Sequence, residues 1–208
     1  HTQKIRLGTG ICLVPQRNPV YTAKEVAAVD YLSDGRVDFG VGIGWLKEEF
    51  SALDTPFARR GDRCREYLEV IANLWSQDVS SYSGEFYQLP PCRQYPKPVQ
   101  QPGPPIFFGG ESNAALRRVA DLGDGWYGYN VSVDETRACL ARLDEMLAAK
   151  SRRREDLEIA ICPYSHKLNQ DIAARYRDAG VDQLVLLIVG RDIEELNRWL
   201  DRLAADYL

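Results

Sequence analysis

Six stretches of strand character alternate along this 208-residue chain with stretches of helical periodicity. Strict alternation of this kind means parallel strands covered by helices, because each parallel pair needs a crossover between its members. The predicted strands cover 5–14, 37–41, 106–108, 126–129, 158–162 and 184–189. The predicted helices cover 22–32, with Val26, Val29 and Leu32 on one face, and 61–77, with Cys64, Leu68, Ile71 and Trp75 on one face. Helices at 113–122, from Val133, at 169–179 and after Asp192 complete the pattern. Ser132 and Glu135 have capping-box spacing, with Leu140, Leu143 and Leu147 inward; Asp192 and Glu195 repeat that spacing ahead of Leu196, Trp199, Leu200 and Leu203. An α/β barrel and an open doubly wound sheet both satisfy this order.

Between the second and third units the regularity is interrupted. Residues 79–89 read as a hairpin around Ser83-Gly84, and residues 90–105 hold seven of the eleven prolines. A stiff, irregular connection of that length is often functional. No linker divides the chain, so 1–208 reads as one domain with 79–105 as its insertion.

Composition narrows the function. Apolar residues make up 45% and charged residues 27%, with a net charge of −4, which describes a globular chain. Its short Arg152-Arg153-Arg154 run, followed by two acids, reads as a solvated loop, and nothing points to nucleic acid. The longest purely apolar run, 184–189, is far below the roughly 20 residues that cross a bilayer. The five cysteines are odd in number and widely spaced, so they read as reduced thiols of a cytoplasmic protein without a metal site. Of the two histidines, His1 is terminal and expected to be disordered, and His166 lies just past a strand end. Arg60, Arg63 and Glu66 read as an ion-pair set on one helix.

The glycine motifs are the chemical signal. Gly40-x-Gly42-x-Gly44 follows a strand but lacks the last glycine of a dinucleotide loop, and residues 45–60 read as loop rather than helix. The glycines serve either close packing or the approach of a flat ring to the backbone. Gly109-Gly110-Glu111-Ser112 closes a strand and opens a helix, which sets free amides and a hydroxyl where a phosphate would sit. The plain alternative is a βα turn with Ser112 as N-cap.

The order of motifs is more specific than any one of them. Leu7-Gly8-Thr9-Gly10-Ile11, Arg17-Asn18-Pro19, Leu32-Ser33-Asp34-Gly35-Arg36, Gly40-Val41-Gly42-Ile43-Gly44-Trp45 with Glu48-Glu49-Phe50, Gly109-Gly110-Glu111-Ser112 and Asp124-Gly125-Trp126 follow one another. This series resembles the luciferase-like monooxygenase superfamily, and within it the branch dependent on the deazaflavin coenzyme F420. The resemblance implies a TIM-type (β/α)8 barrel. The chain would begin at the family's third strand and lack the first two βα units, so the sequence is expected to be truncated, incompletely resolved, or closed by a partner chain.

The resemblance also implies roles. Gly10-Ile11 matches a non-proline cis peptide behind the flavin ring. Gly42 and Gly44 would border the ring or its ribityl chain, Asn18 would fix the loop over the cofactor, and Gly109, Gly110, Glu111 and Ser112 would hold the phosphate. Ile43 stands where bacterial luciferases carry an arginine for the FMN phosphate, which favours F420 over FMN. Trp45 stands where some deazaflavin enzymes carry a catalytic glutamate, and the family's histidine comes from a strand this chain lacks, so no catalytic residue is named. Tyr127, Tyr129, Tyr164 and Trp45 suggest an aromatic pocket for a small organic substrate. The expected activity is hydride transfer between F420 and that substrate. The alternatives are an FMN-dependent monooxygenase and a non-catalytic flavin-binding protein. The family's habit makes a homodimer possible.

Overall fold

The computed structural model describes residues 2–207, so His1 lies outside the described residues. They form two compact units, divided between Phe107 and Phe108.

In the first unit, β1 (Leu7–Gly8) and β2 (Cys12–Leu13) both pair in parallel with β3 (Val37–Gly42). The single strand expected over 5–14 is therefore two short ones. Between them the Thr9 hydroxyl donates to the Gly40 carbonyl at 2.7 Å, a side chain taking a ladder acceptor. The helix α1 (Pro19–Ser33) starts earlier than its apolar pattern, because Asn18 caps the Val20 and Tyr21 amides and Pro19 fills the first helical position. It ends at Asp34 in the left-handed conformation, with the Gly35 amide on the Asp30 carbonyl.

The inward face of α1 differs from the one expected. Thr22, Ala23, Ala27, Asp30 and Ser33 are buried, whereas Val29 and Leu32 are 45% and 84% exposed. The cause is the neighbour: the Trp75 indole lies against this face and donates to the Ala23 carbonyl at 2.9 Å, so only small residues fit. Val26 and Val29 instead line a cleft of about 640 Å³ with Leu7, Leu13 and Phe39.

After β3 comes α2 (Lys47–Ala52), a short helix in a stretch expected to be loop. Phe50 is fully buried and packs edge-on to Phe57, which gives α2 its anchor. The next helix, α3 (Arg60–Ser76), buries Cys64, Leu68, Ile71 and Trp75, the expected face. Arg60, Arg63 and Glu66 make no ion pairs with one another among the described residues. Arg60 donates to the Gly44 carbonyl, Arg63 to the Pro56 and Ala58 carbonyls, and Glu66 accepts the Glu85, Phe86 and Tyr87 amides. Each charge satisfies unpaired loop backbone, a stronger need than a surface ion pair. Glu66 thereby shapes the turn between β4 (Ser80–Ser83) and β5 (Gln88–Cys92), the expected hairpin. The irregular connection expected over 90–105 begins only at Arg93, because residues 90–92 extend β5 and Cys92 pairs with Ser80.

β6 (Ile106–Gly109) spans the division. In the second unit follow α4 (Asn113–Leu122), β7 (Gly125–Tyr129), α5 (Val133–Ala148), β8 (Glu158–Cys162), α6 (Gln170–Asp178), β9 (Gln183–Leu184) and α7 (Ile193–Tyr207). β7 pairs with β8 and β8 with β9, all in parallel. The strand expected over 184–189 is cut short, because its partner β8 ends at Cys162 ahead of Pro163. Ser132 and Glu135 form the expected capping box on α5.

The arginine run is not a solvated loop. Arg152 donates to the Ala120 and Gly123 carbonyls at 3.1 and 2.7 Å, closing the end of α4, and Arg154 pairs with Asp144 and donates to the Leu140 carbonyl. Helix C-termini leave carbonyls without partners, and a guanidinium supplies several donors at once.

Candidate functional site

In the first unit Gly10-Ile11 lies between β1 and β2, Asn18 heads α1, Gly42 closes β3 and Gly44 follows it. The Gly10-Ile11 peptide is cis, as the resemblance implies. Ile11 lies over Gly42: a methyl group at Gly42 would stand 2.1 Å from Ile11 Cδ1, so packing alone requires glycine there. The Gly44 carbonyl accepts from Arg60 Nε at 2.9 Å, and Arg60 itself stacks 4.0 Å over the Phe57 ring. Asn18 uses its carbonyl oxygen as the α1 cap, and its amide reaches the Tyr87 hydroxyl at 3.4 Å. Trp45 is 80% exposed at the mouth of the same loop.

In the second unit, Gly109, Gly110, Glu111 and Ser112 form the turn into α4. Gly110 has φ +107°, a conformation that side chains rarely adopt. Ser112 Oγ accepts from the Ala115 amide at 3.2 Å, the N-cap role, which leaves the hydroxyl proton free to donate elsewhere. The amides of Glu111, Ser112 and Asn113 donate to no group among the described residues. The Glu111 carboxylate is engaged: it accepts the Tyr129 amide at 2.8 Å. Two further side chains hold this turn and were not picked out as site residues. Trp126 Nε1 donates to the Gly110 carbonyl at 2.9 Å, and Arg142 Nη2 to the Glu111 carbonyl at 3.0 Å.

The tyrosines of the second unit come together at the ends of β7 and β8. The rings of Tyr129 and Tyr164 are 5.1 Å apart. Burial, and then the neighbouring Cys162 thiol, push the Tyr127 phenol up to about 12. His166 stands beside them, with Nε2 3.3 Å from the Asn130 carbonyl and 3.8 Å from Glu135. Trp45, predicted with these residues, belongs to the first unit. Among the described residues, no group of three or more His, Cys, Asp or Glu could hold a metal.

The model of the luciferase-like monooxygenase family matches residues 1–207. The chain belongs to that family. An uncharacterized protein of Mycobacterium tuberculosis is 32% identical over 208 residues, covering 98% of this chain and 71% of its own length. The FMNH(2)-dependent dimethylsulfone monooxygenase of Pseudomonas putida is 34% identical over 148 residues, covering 66% of this chain and 40% of that enzyme. Two solved structures show the fold. The F420-dependent tetrahydromethanopterin reductase of Methanopyrus kandleri has TM-score 0.78 at 17% identity, covering 93% of this chain and 80% of its own. The monooxygenase RslO1 of Streptomyces bottropensis has TM-score 0.70 at 24% identity, covering 97% of this chain and 59% of its own. This luciferase-like chain thus has the family's α/β-barrel architecture and spans only part of the length of these relatives.

A luciferase-like chain is expected to hold a flavin or deazaflavin, and the second unit fits the phosphate of either. Three amides at a helix start that donate to nothing among the described residues, together with the Ser112 hydroxyl proton, make a donor set, and the Glu111 carboxylate is engaged by the Tyr129 amide.

Proposed function

We propose that this chain is an oxidoreductase that transfers hydride between coenzyme F420 and a small organic substrate. The observation that carries the reading is the open amide set of Glu111, Ser112 and Asn113 at the head of α4, in a chain of this family. F420, when bound, supplies two-electron hydride chemistry at its ring; the protein contributes binding, orientation and exclusion of water. Gly109 and Gly110 let the backbone approach, and the amides and the Ser112 hydroxyl donate to phosphate. Ile43 favours F420 over FMN, because an aliphatic side chain gives a phosphate no donor where bacterial luciferases, by the resemblance, use arginine. Five cysteines without a disulfide suit a cytoplasmic enzyme.

A second reading is favoured by the dimethylsulfone monooxygenase: an enzyme that uses reduced FMN and oxygen. Fluorescence titration of the 208-residue chain with oxidised F420 and with FMN separates them. The proposal expects micromolar or tighter F420 binding and weak FMN binding. Preference for FMN, with oxygen consumed when reduced FMN is added, moves the assignment to the monooxygenase. Tight binding of F420 without turnover of any substrate would leave a carrier rather than an enzyme.

A further inference from the structure

The turn from Gly110 to Asn113 is held from outside by donors that take its carbonyls. Trp126 Nε1 takes the Gly110 carbonyl at 2.9 Å, and Arg142 Nη2 takes the Glu111 carbonyl at 3.0 Å. Neither peptide is cis. In a planar trans peptide the carbonyl and the following N–H point in opposite directions. Fixing the Gly110 carbonyl therefore aims the Glu111 amide away from Trp126, and fixing the Glu111 carbonyl aims the Ser112 amide away from Arg142. These are two of the amides that donate to nothing among the described residues.

We infer that Trp126 and Arg142 are positioning residues that aim the Glu111 and Ser112 amides at one anionic group, which under the reading above is the cofactor phosphate. The inference rests on that reading. Trp126 is fully buried, so its donor has one direction. Arg142 is fixed at several points: Nη1 donates to Asn113 Oδ1 at 2.7 Å, and Nη2 also lies 3.0 Å from Cys139 Sγ. A planar guanidinium gives these bonds fixed relative directions, which a lysine would not reproduce. Amides aimed in advance do not have to be ordered when the anion arrives, which is where preorganised sites gain affinity.

The test compares ligands that carry the phosphate with ligands that lack it. Wild type, Arg142→Gln, Arg142→Lys and Trp126→Phe are titrated with whichever of F420 and FMN binds, and with its phosphate-free core (the deazaflavin riboside or riboflavin). Inorganic phosphate is added as a competitor. The inference expects each variant to bind the phosphate-bearing ligand about tenfold more weakly, the loss of one well-placed hydrogen bond. Binding of the phosphate-free core stays unchanged, and competition by inorganic phosphate weakens in step. Arg142→Lys fails to rescue, because charge without the fork does not hold the carbonyl. Equal weakening of both ligands would show a merely structural role and overturn the inference, as would variants that bind like wild type. Wild type that binds neither cofactor, and shows no phosphate competition, overturns the functional reading itself and the inference with it.

Discussion

Gly40 and Gly42 stand two residues apart in β3, and a methyl group at each would meet a different obstacle. At Gly40 it would lie 1.9 Å from the Thr9 carbonyl oxygen, backbone of a residue whose amide is bonded to the Asp38 carbonyl; at Gly42 it would lie 2.1 Å from Ile11 Cδ1, the far end of a side chain that can rotate. Overpacking in a tight interior costs about 1–3 kcal/mol where neighbours can yield. Gly42→Ala is expected within that range, and Gly40→Ala at or beyond its upper end. Urea unfolding of the two variants checks the order, and a larger loss for Gly42→Ala would contradict this account of the packing. The comparison also clarifies function. Since packing already demands glycine at 42, loss of ring binding in Gly42→Ala counts toward a cofactor role only if it exceeds the loss of folded protein.

At the scale of elements, α1 and the proline-rich segment are joined by one buried carboxylate. Asp30 is 0% exposed and accepts the Val99 amide at 2.8 Å, the Gln100 amide at 3.1 Å and the Gln100 side chain at 2.8 Å. Asp30→Asn keeps one acceptor oxygen and turns the other into a donor facing donors. A loss of roughly 2–3 kcal/mol is expected from the unpaired amides. Limited proteolysis should then cut faster near Gln100 and Gln101. Unchanged stability and an unchanged cleavage rate would show that the segment is held by something else. This element also shows what the sequence left unread. Helix α4 and strand β8 were legible to the residue, because apolar periodicity and flanking caps coincide there. The inward face of α1 is built from alanine, threonine, serine and a satisfied aspartate, which carry no apolar signal, so pattern reading selects the exposed Val29 and Leu32 instead. The candidate site divides in the same way. Its glycines and Ser112 form a local motif, whereas Trp126 and Arg142 reach it from 16 and 31 residues along the chain, a distance at which no spacing rule applies.

For the molecule as a whole, surface hydrogen bonds set a direction for stability against pH. The Tyr95 hydroxyl holds Asp78 below the usual carboxylate range, and the Ser132 hydroxyl does the same for Glu135. The Arg153 and Arg191 amides lower Asp156 and Glu195. A carboxylate that is more acidic folded than unfolded contributes stability that is present above its unfolded value, about 4, and is lost as pH falls through its folded value. The phenols work at the other end. Burial raises Tyr127 and Tyr82, and the bond to Asp78 raises Tyr95. Their stability is complete below the unfolded value, about 10, and is lost as pH rises toward the folded one. The melting temperature is therefore expected to hold a plateau between these limits and to fall on both sides. The acid limb is the more sensitive to salt, because Asp78 and Asp156 also owe part of their shift to the exposed guanidiniums of Arg93 and Arg153, and such pairs are screened within about 10 Å at 0.1 M ionic strength. Thermal unfolding at several pH values, in low and high salt, checks this. A melting temperature that rises on acidification from pH 6 to pH 3.5 would mean that groups other than these four carboxylates govern the acid response.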